Sequence, residues 1–442
     1  MKTTHRRVLL VALLPVVLLP GATTLPAQVV PADSDLRQTI DNALTRNPDL
    51  QALGHRIEAA GEREPQAGAW MDPTVSVGAM NLPANSFDLN QEPMTGLWVN
   101  VSQSIPLTGR LGAKRDALSY QTERERARYR DRRASVAVEI ARAWYDRAYL
   151  QESVQALDNT IAVLDDMLAV TQTKYETGRG QQQDLLRLET ERARLRERQL
   201  ELRQRTRNAA RRIANLAGRR TQPSEFLSSS LPAEFAPLDS SALMEHLMDR
   251  SPEFAAVQAS RQAAKSMTAA AKKSRWPDLK LGAGYGLRQY GESGQERPNF
   301  VTVTAGVTLP LFMGTKQNRA VEENLATERS LEAATESVKL RLTWKLADLL
   351  DEDRRHAEQI DLYDGEILPL ASAALESSSG AYAAGSIDVE AVLAAEQALI
   401  DAQLRLLDHR RQRAEVRASI AGLLGGDGLL PSDENMHKEN ER

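Results

Sequence analysis

The chain has 442 residues and no cysteine, which excludes disulfides, thiol catalysis and thiolate metal sites. A net charge of −4 with 26% charged residues argues against nucleic-acid binding as the main role. Beyond the N-terminal segment no apolar run reaches the ~18 residues of a spanning helix, so any membrane crossing falls to strands.

Met1 to about Ala27 reads as a signal peptide: Lys2, Arg6 and Arg7 precede the apolar run Val8 to Leu19, and Ala22 and Ala27 follow. The run is too short and too proline-broken to span a bilayer. The chain is therefore read as exported by a bacterium.

Residues 35–220 form a first structural repeat. Leu36, Ile40, Ala43 and Leu44 share a helical face, and Asn47-Pro48 starts a second helix. Strands are expected over about 74–82 and 97–106, because Leu97, Val99, Val101 and Ile105 alternate with Trp98, Asn100, Ser102 and Ser104. The turn formers between them read as a loop. From Gly112 to Tyr175 there is no proline, and Leu150, Val154, Leu157, Ile161, Leu164 and Leu168 set a coiled-coil seam. At ~1.5 Å per residue such a helix runs on the order of 90 Å. A return helix to 217 completes a hairpin over about 112–217, with Leu188, Leu195, Leu202, Ala209 and Leu216 spaced by sevens. The arginines crowding it alternate with glutamates and read as a solvated face.

Residues 221–239 read as a linker, and 240–425 as a second repeat. Ser251-Pro252 mirrors Asn47-Pro48. Strands are expected over 278–290 and 299–310, where Val301, Val303, Ala305, Val307 and Leu309 alternate with Thr302, Thr304, Gly306 and Thr308. A hairpin over 316–424 follows, unbroken as far as Tyr382, with Trp344 matching Trp144. Gly282, Gly284 and Gly286 read as small pore-lining or bend positions, and Trp98, Tyr285, Tyr290 and Phe300 as an aromatic girdle. The polar tail 426–442 is expected to be disordered.

Strands of this length suit a tilted crossing of a bilayer, yet four cannot close on themselves. An apolar face in lipid tolerates no open edge, so several chains must close one barrel. The fold class expected is mainly α with membrane β: internally duplicated coiled-coil hairpins plus four transmembrane strands per chain. Of the other classes, a soluble periplasmic coiled-coil adaptor would fit the hairpins but has no use for the apolar strands. No motif suggests an enzyme or a cofactor.

In this order twice, the paired helix starts, the strand endings Ser104-Ile-Pro-Leu107 and Thr308-Leu-Pro-Leu311, and the tips Tyr175-Glu-Thr-Gly178 and Tyr382-Ala-Ala-Gly385 resemble the TolC-type outer membrane efflux family. The resemblance implies a homotrimer in the outer membrane, with a twelve-stranded β-barrel continued by an α-helical tunnel across the periplasm. It also implies an exit duct served by a periplasmic adaptor protein and an inner-membrane pump. Docking would fall on the tips, at Tyr175, Gly178, Arg179, Tyr382, Gly385 and Ser386. Where the family carries acidic rings six and nine residues after the tip glycine, this chain has Asp184 and Arg187 in the first repeat and Ala391 and Ala394 in the second. Asp184, Asp388 and Glu390 are the candidate entrance acids.

The stretch with Met71, Met80 and Met94 looks most like the heavy-metal branch, outer-membrane partners of copper, silver or cobalt-zinc-cadmium pumps. Thioethers suit soft cations, but a methionine near a strand end more often packs, and the same holds for Met244 and Met248 beside His246. Type I secretion or multidrug export remain alternatives on the same fold.

Overall fold

The computed structural model describes residues 30, 34–218, 230–288, 295–426 and 428–429. The signal peptide, Tyr290, the first half of the linker and nearly all of the tail lie outside them.

The chain runs through one series of elements twice. In the first half, α1 (Ser34–Arg46), α2 (Pro48–Gly61) and the short α3 (Arg63–Gly68) lead into β1 (Thr74–Met80) and β2 (Gly96–Pro106), then α4 (Arg110–Glu176) and α5 (Gln182–Leu216). In the second, α6 (Ser240–Arg250) and α7 (Pro252–Lys273) lead into β3 (Asp278–Leu287) and β4 (Phe300–Thr308), then α8 (Gln317–Leu362), α9 (Leu368–Ala383) and α10 (Val389–Leu423). Both paired helix starts are capped as the sequence suggests. Asn47 Oδ1 accepts from the backbone N–H of Asp49 and Leu50, and Ser251 Oγ accepts from Phe254. Each is followed by a proline whose missing N–H costs nothing there.

The four strands form one antiparallel sheet in the order β1-β2-β3-β4. β1 stops at Met80, short of the expected 82, because Asn81 turns to a φ of 55° and its side-chain amide donates to Met94 O. At the other edge β4 ends at Thr308.

α4 has 67 residues, and its seam is the expected one. Leu150, Leu157 and Leu164 are buried with Leu188, Leu195 and Leu202 of α5 and Val389, Val392 and Ile400 of α10. Each such leucine contributes about 1.5–3 kcal/mol by burial.

One expectation about the helices fails. The stretch to Tyr382 is not one continuous helix: a π-helical turn, Tyr363–Ile367, separates α8 from α9. Pro369 follows directly and supplies no N–H to the turn before it, which is the local defect a π turn absorbs. Trp144 and Trp344, which match in sequence, lie in different environments. Trp144 is 1% exposed in the core where α1, α4, α5 and α10 meet, whereas Trp344 is 68% exposed.

A second core joins α6, α8 and α10 through Leu243, Leu247, Leu342, Leu346 and Ile420. Beside it, Arg417 of α10 is 1% exposed and donates through Nε and Nη2 to the two Asp353 carboxylate oxygens at 2.6 and 2.9 Å. Its Nη1 donates to Ala236 O at 2.7 Å, tying the described end of the linker to the helices. Leu231 and, in the tail, Leu429 are buried as well, so the chain flanking both repeats is partly packed against them.

His356, 2% exposed, lies 5.5 Å ring to ring from His409. Burial first, then the Arg355 guanidinium and His409, hold its pKa down to about 4. The folded state thus prefers the neutral ring; this stability is full above about pH 6.5 and is lost as pH falls toward 4. Thermal unfolding followed by circular dichroism should show a loss of about 2 kcal/mol between pH 7 and 5 that His356→Phe reduces, the remainder coming from His409, whose pKa burial also lowers. An unchanged pH response in that variant would move the effect to other groups.

Candidate functional site

Two regions can do the work of a duct, the helical tips and the sheet. At each tip the descending helix ends in the same backbone motif. Gly178 and Gly385 have φ of 71° and 78°, which side chains disfavour. The N–H of Gly178 bonds to Tyr175 O and that of Arg179 to Lys174 O; likewise Gly385 N–H to Tyr382 O and Ser386 N–H to Ala381 O. This left-handed cap reverses the chain within a few residues and explains the tyrosine-to-glycine spacing. Gly178, Arg179, Gly385 and Ser386 are all exposed at the turn.

The two tyrosines differ. Tyr382 is buried: its hydroxyl pairs with Thr171 Oγ1 at 2.8 Å, and Lys174 Nζ lies 4.0 Å from its ring centre and donates to its carbonyl. Tyr175 is 44% exposed. Of the two tip tyrosines, Tyr382 is thus the one that clips the second hairpin to the first.

The entrance acids sit at the starts of the return helices. Asp184 and Glu390 are in the first turns of α5 and α10, and Asp388 precedes α10 without capping it through its side chain. Glu390 is not free, because Arg187 Nη1 donates to its Oε2 at 2.6 Å across the hairpins. Asp388 is exposed and Asp184 half-buried.

The strand register sorts the sheet into two faces. Val75, Val77, Leu97, Val99, Val101, Leu279, Leu281, Val301, Val303 and Val307 share one, and Thr74, Ser76, Asn100, Ser102, Thr302, Thr304 and Thr308 the other. The glycines of β3 lie on the polar face, where a Cβ on Gly284 would come within 3.2 Å of Asn100 Oδ1 and one on Gly286 within 3.0 Å of the Trp98 ring. They are small because side chains on β2, and Thr304 of β4 beside Gly282, lean over them.

Here the aromatic expectation is corrected. Trp98 and Phe300 belong to the polar face with Gly286, and of the three that are described only Tyr285 lies on the apolar one. Unanticipated were Trp70, Trp276 and Phe312, 59%, 67% and 74% exposed at the helix end of the sheet. Their place just outside strand ends was visible in the sequence and is where interfacial aromatics collect.

The methionines are not gathered in one place. Met71 and Met80 lie at opposite ends of β1, Met94 is on the Met80 side, and Met244 and Met248 pack against the Leu243 and Leu247 core. Among the described residues no group of three His, Asp or Glu is placed to hold a metal.

Residues 39–219 and 243–426 match the model of the family described as outer membrane efflux protein. The chain belongs to that family. It is an outer-membrane protein and the exit duct of an efflux system, which sets aside the soluble adaptor reading. It is 31% identical over 322 residues, 72% of each chain, to the nickel and cobalt resistance protein CnrC of Cupriavidus metallidurans. It is 26% identical over 275 residues, 62% of this chain and 60% of the relative, to the nickel-cobalt-cadmium resistance protein NccC of Alcaligenes xylosoxydans xylosoxydans. In structure it resembles the outer membrane protein VceC of Vibrio cholerae with a TM-score of 0.75 at 18% identity, covering 89% of this chain and 97% of that one.

Proposed function

We propose that three copies of the chain close a twelve-stranded barrel, and that the duct passively exports heavy-metal cations of the nickel and cobalt class. The sheet carries this reading. It has one apolar face, one small polar face and two free edges, β1 and β4. In lipid each edge would leave unpaired backbone groups, and pairing with another copy satisfies them. The polar face then lines the pore. The long hairpins continue the passage across the periplasm, and an adaptor with its pump meets the exposed tips. The metal class is supported by the names of the two resistance relatives.

Arg179→Glu or Asp388→Arg should raise the nickel and cobalt retained by cells while leaving the level of folded protein unchanged. The tips are the exposed breaks in the long helices, within reach of a partner. Unchanged metal content in both variants would count against docking there.

Three copies of Asp184 and Asp388 around a narrow entrance form carboxylate rings that enrich cations. Arg187 already neutralises Glu390, so the preference rests on the other two. In planar bilayers the Asp184→Asn, Asp388→Asn double variant should shift the reversal potential toward zero in a salt gradient. The same potential as wild type would mean that these acids serve only the helix dipoles.

A further inference from the structure

The charge of the chain changes at the helix end of the sheet. The whole protein carries −4, yet Lys114 and Arg115 of α4, Lys272 and Lys273 of α7, and Lys316 and Arg319 at the start of α8 are all exposed there. Among the described residues none of the six pairs with a carboxylate. Across residues 106–116, 271–278 and 308–320 the acids are Asp116 and Asp278, and Asp278 is taken by Arg110 at 2.7 Å.

These segments meet, because α7 packs against both α4 and α8. Thr108 Oγ1 donates to Lys273 O at 3.2 Å and Lys273 Nζ to Gly109 O at 3.4 Å, so the end of α7 lies against the start of α4. The ion pairs of Arg261 with Glu332 and of Arg341 with Glu253 set α7 antiparallel to α8, which brings Arg319 level with Ser274. α4 and α8 both begin here without a side-chain cap, and helix starts favour anions. Between them Arg275 is half-buried, and its Nε, shielded from water, has no acceptor among the described residues. A shielded N–H without a partner is costly until an acceptor reaches it. Toward the sheet the same segments turn apolar: Leu107, Trp276, Leu309, Leu311 and Phe312 are between 60% and 81% exposed. Apolar groups thus stand on the sheet side and cations on the helix side, the order in which a leaflet presents its acyl chains and headgroups.

We propose that this band binds the phosphate headgroups of anionic phospholipid in the periplasmic leaflet of the outer membrane, with the acyl chains against Trp276, Leu311 and Phe312. This rests on the barrel reading above, which puts the helix end of the sheet at that leaflet. A phosphate oxygen is the acceptor that clustered ammonium groups and a forked guanidinium take together. Turned inward instead, three copies of the same cations would ring the passage with positive charge and oppose the exit of metal cations.

The test takes the protein purified from cells in mild detergent and adds phosphatidylglycerol or phosphatidylcholine with the same acyl chains. Native mass spectrometry then counts the lipid retained. The expected result is a three-chain species that keeps phosphatidylglycerol about tenfold over phosphatidylcholine, a preference that falls as ammonium acetate is raised. A quadruple variant, Lys114→Gln, Lys272→Gln, Lys316→Gln and Arg319→Gln, should lose the preference while keeping its circular dichroism spectrum. Replacing the three lysines by arginine should keep it. A three-chain species that holds both lipids equally, or a quadruple variant that still prefers phosphatidylglycerol, overturns the lipid site and leaves the barrel standing. A quadruple variant with unchanged lipid preference and a shifted reversal potential in planar bilayers places these cations in the passage, and overturns the site as well. A single-chain mass overturns the barrel reading and the lipid site with it.

Discussion

Replacing Asp353 with alanine should cost the protein about 3–5 kcal/mol, the largest loss expected from any single change in the helical region. The carboxylate is the only described acid bonded to Arg417, which is 1% exposed and cannot turn to water. Removing it strands a buried guanidinium, and Arg413, which also donates to Asp353, loses its partner. Such a loss is a large part of the ~5–15 kcal/mol that holds a typical folded chain together. Thermal unfolding by circular dichroism, with the yield of folded protein, measures it. A double variant, Asp353→Leu with Arg417→Met, should recover most of the loss, since no charge is then left buried. Breaking the exposed Arg187 and Glu390 pair at the tips should cost less than about 1 kcal/mol. Equal losses at the two sites would contradict this reading of the buried pair.

The second large effect belongs to the sheet. Val303→Arg places a charge on the apolar face, opposite Ala283 at the centre of β4, whereas Thr304→Arg places the same charge one residue on, on the polar face. At the middle of a bilayer the first costs about 2–4 kcal/mol per chain, and a symmetric barrel repeats it in every copy. Val303→Arg should therefore remove most of the protein from the outer membrane, while Thr304→Arg inserts normally and alters conductance. Outer-membrane fractions probed with an antibody decide it. If both variants insert equally, the face of β4 that meets lipid has been misassigned.

Much of this architecture was legible because it is periodic. Leucines every seven residues from Leu188 to Leu202 define one face of α5, and alternation from Val301 to Val307 defines two faces of β4. Asn47-Pro48 and Ser251-Pro252 announce helix starts through chemistry confined to four residues. The same alternation already put Trp98 opposite Leu97 and Val99; grouping it with other aromatics by residue type alone produced the mistaken girdle.

Contacts between distant segments left no such trace. Asp353 and Arg417 are 64 positions apart on helices full of other charges, and nothing local marks them as a pair. The Arg187 bond to Glu390 depends on how two hairpins lie side by side. The different fates of Trp144 and Trp344 arise because only the first descending helix is flanked on both sides within one chain. Pro369 was visible, but whether a helix bends, breaks or takes up a π turn there depends on the packing around it.

The central claim is that copies of this chain complete one another in the outer membrane. Native mass spectrometry of the protein extracted from that membrane in mild detergent tests it most directly. The account predicts a dominant species of three chains, present in the outer-membrane fraction and absent from the soluble periplasmic one. A single-chain mass, with the protein recovered in the soluble fraction, would contradict it.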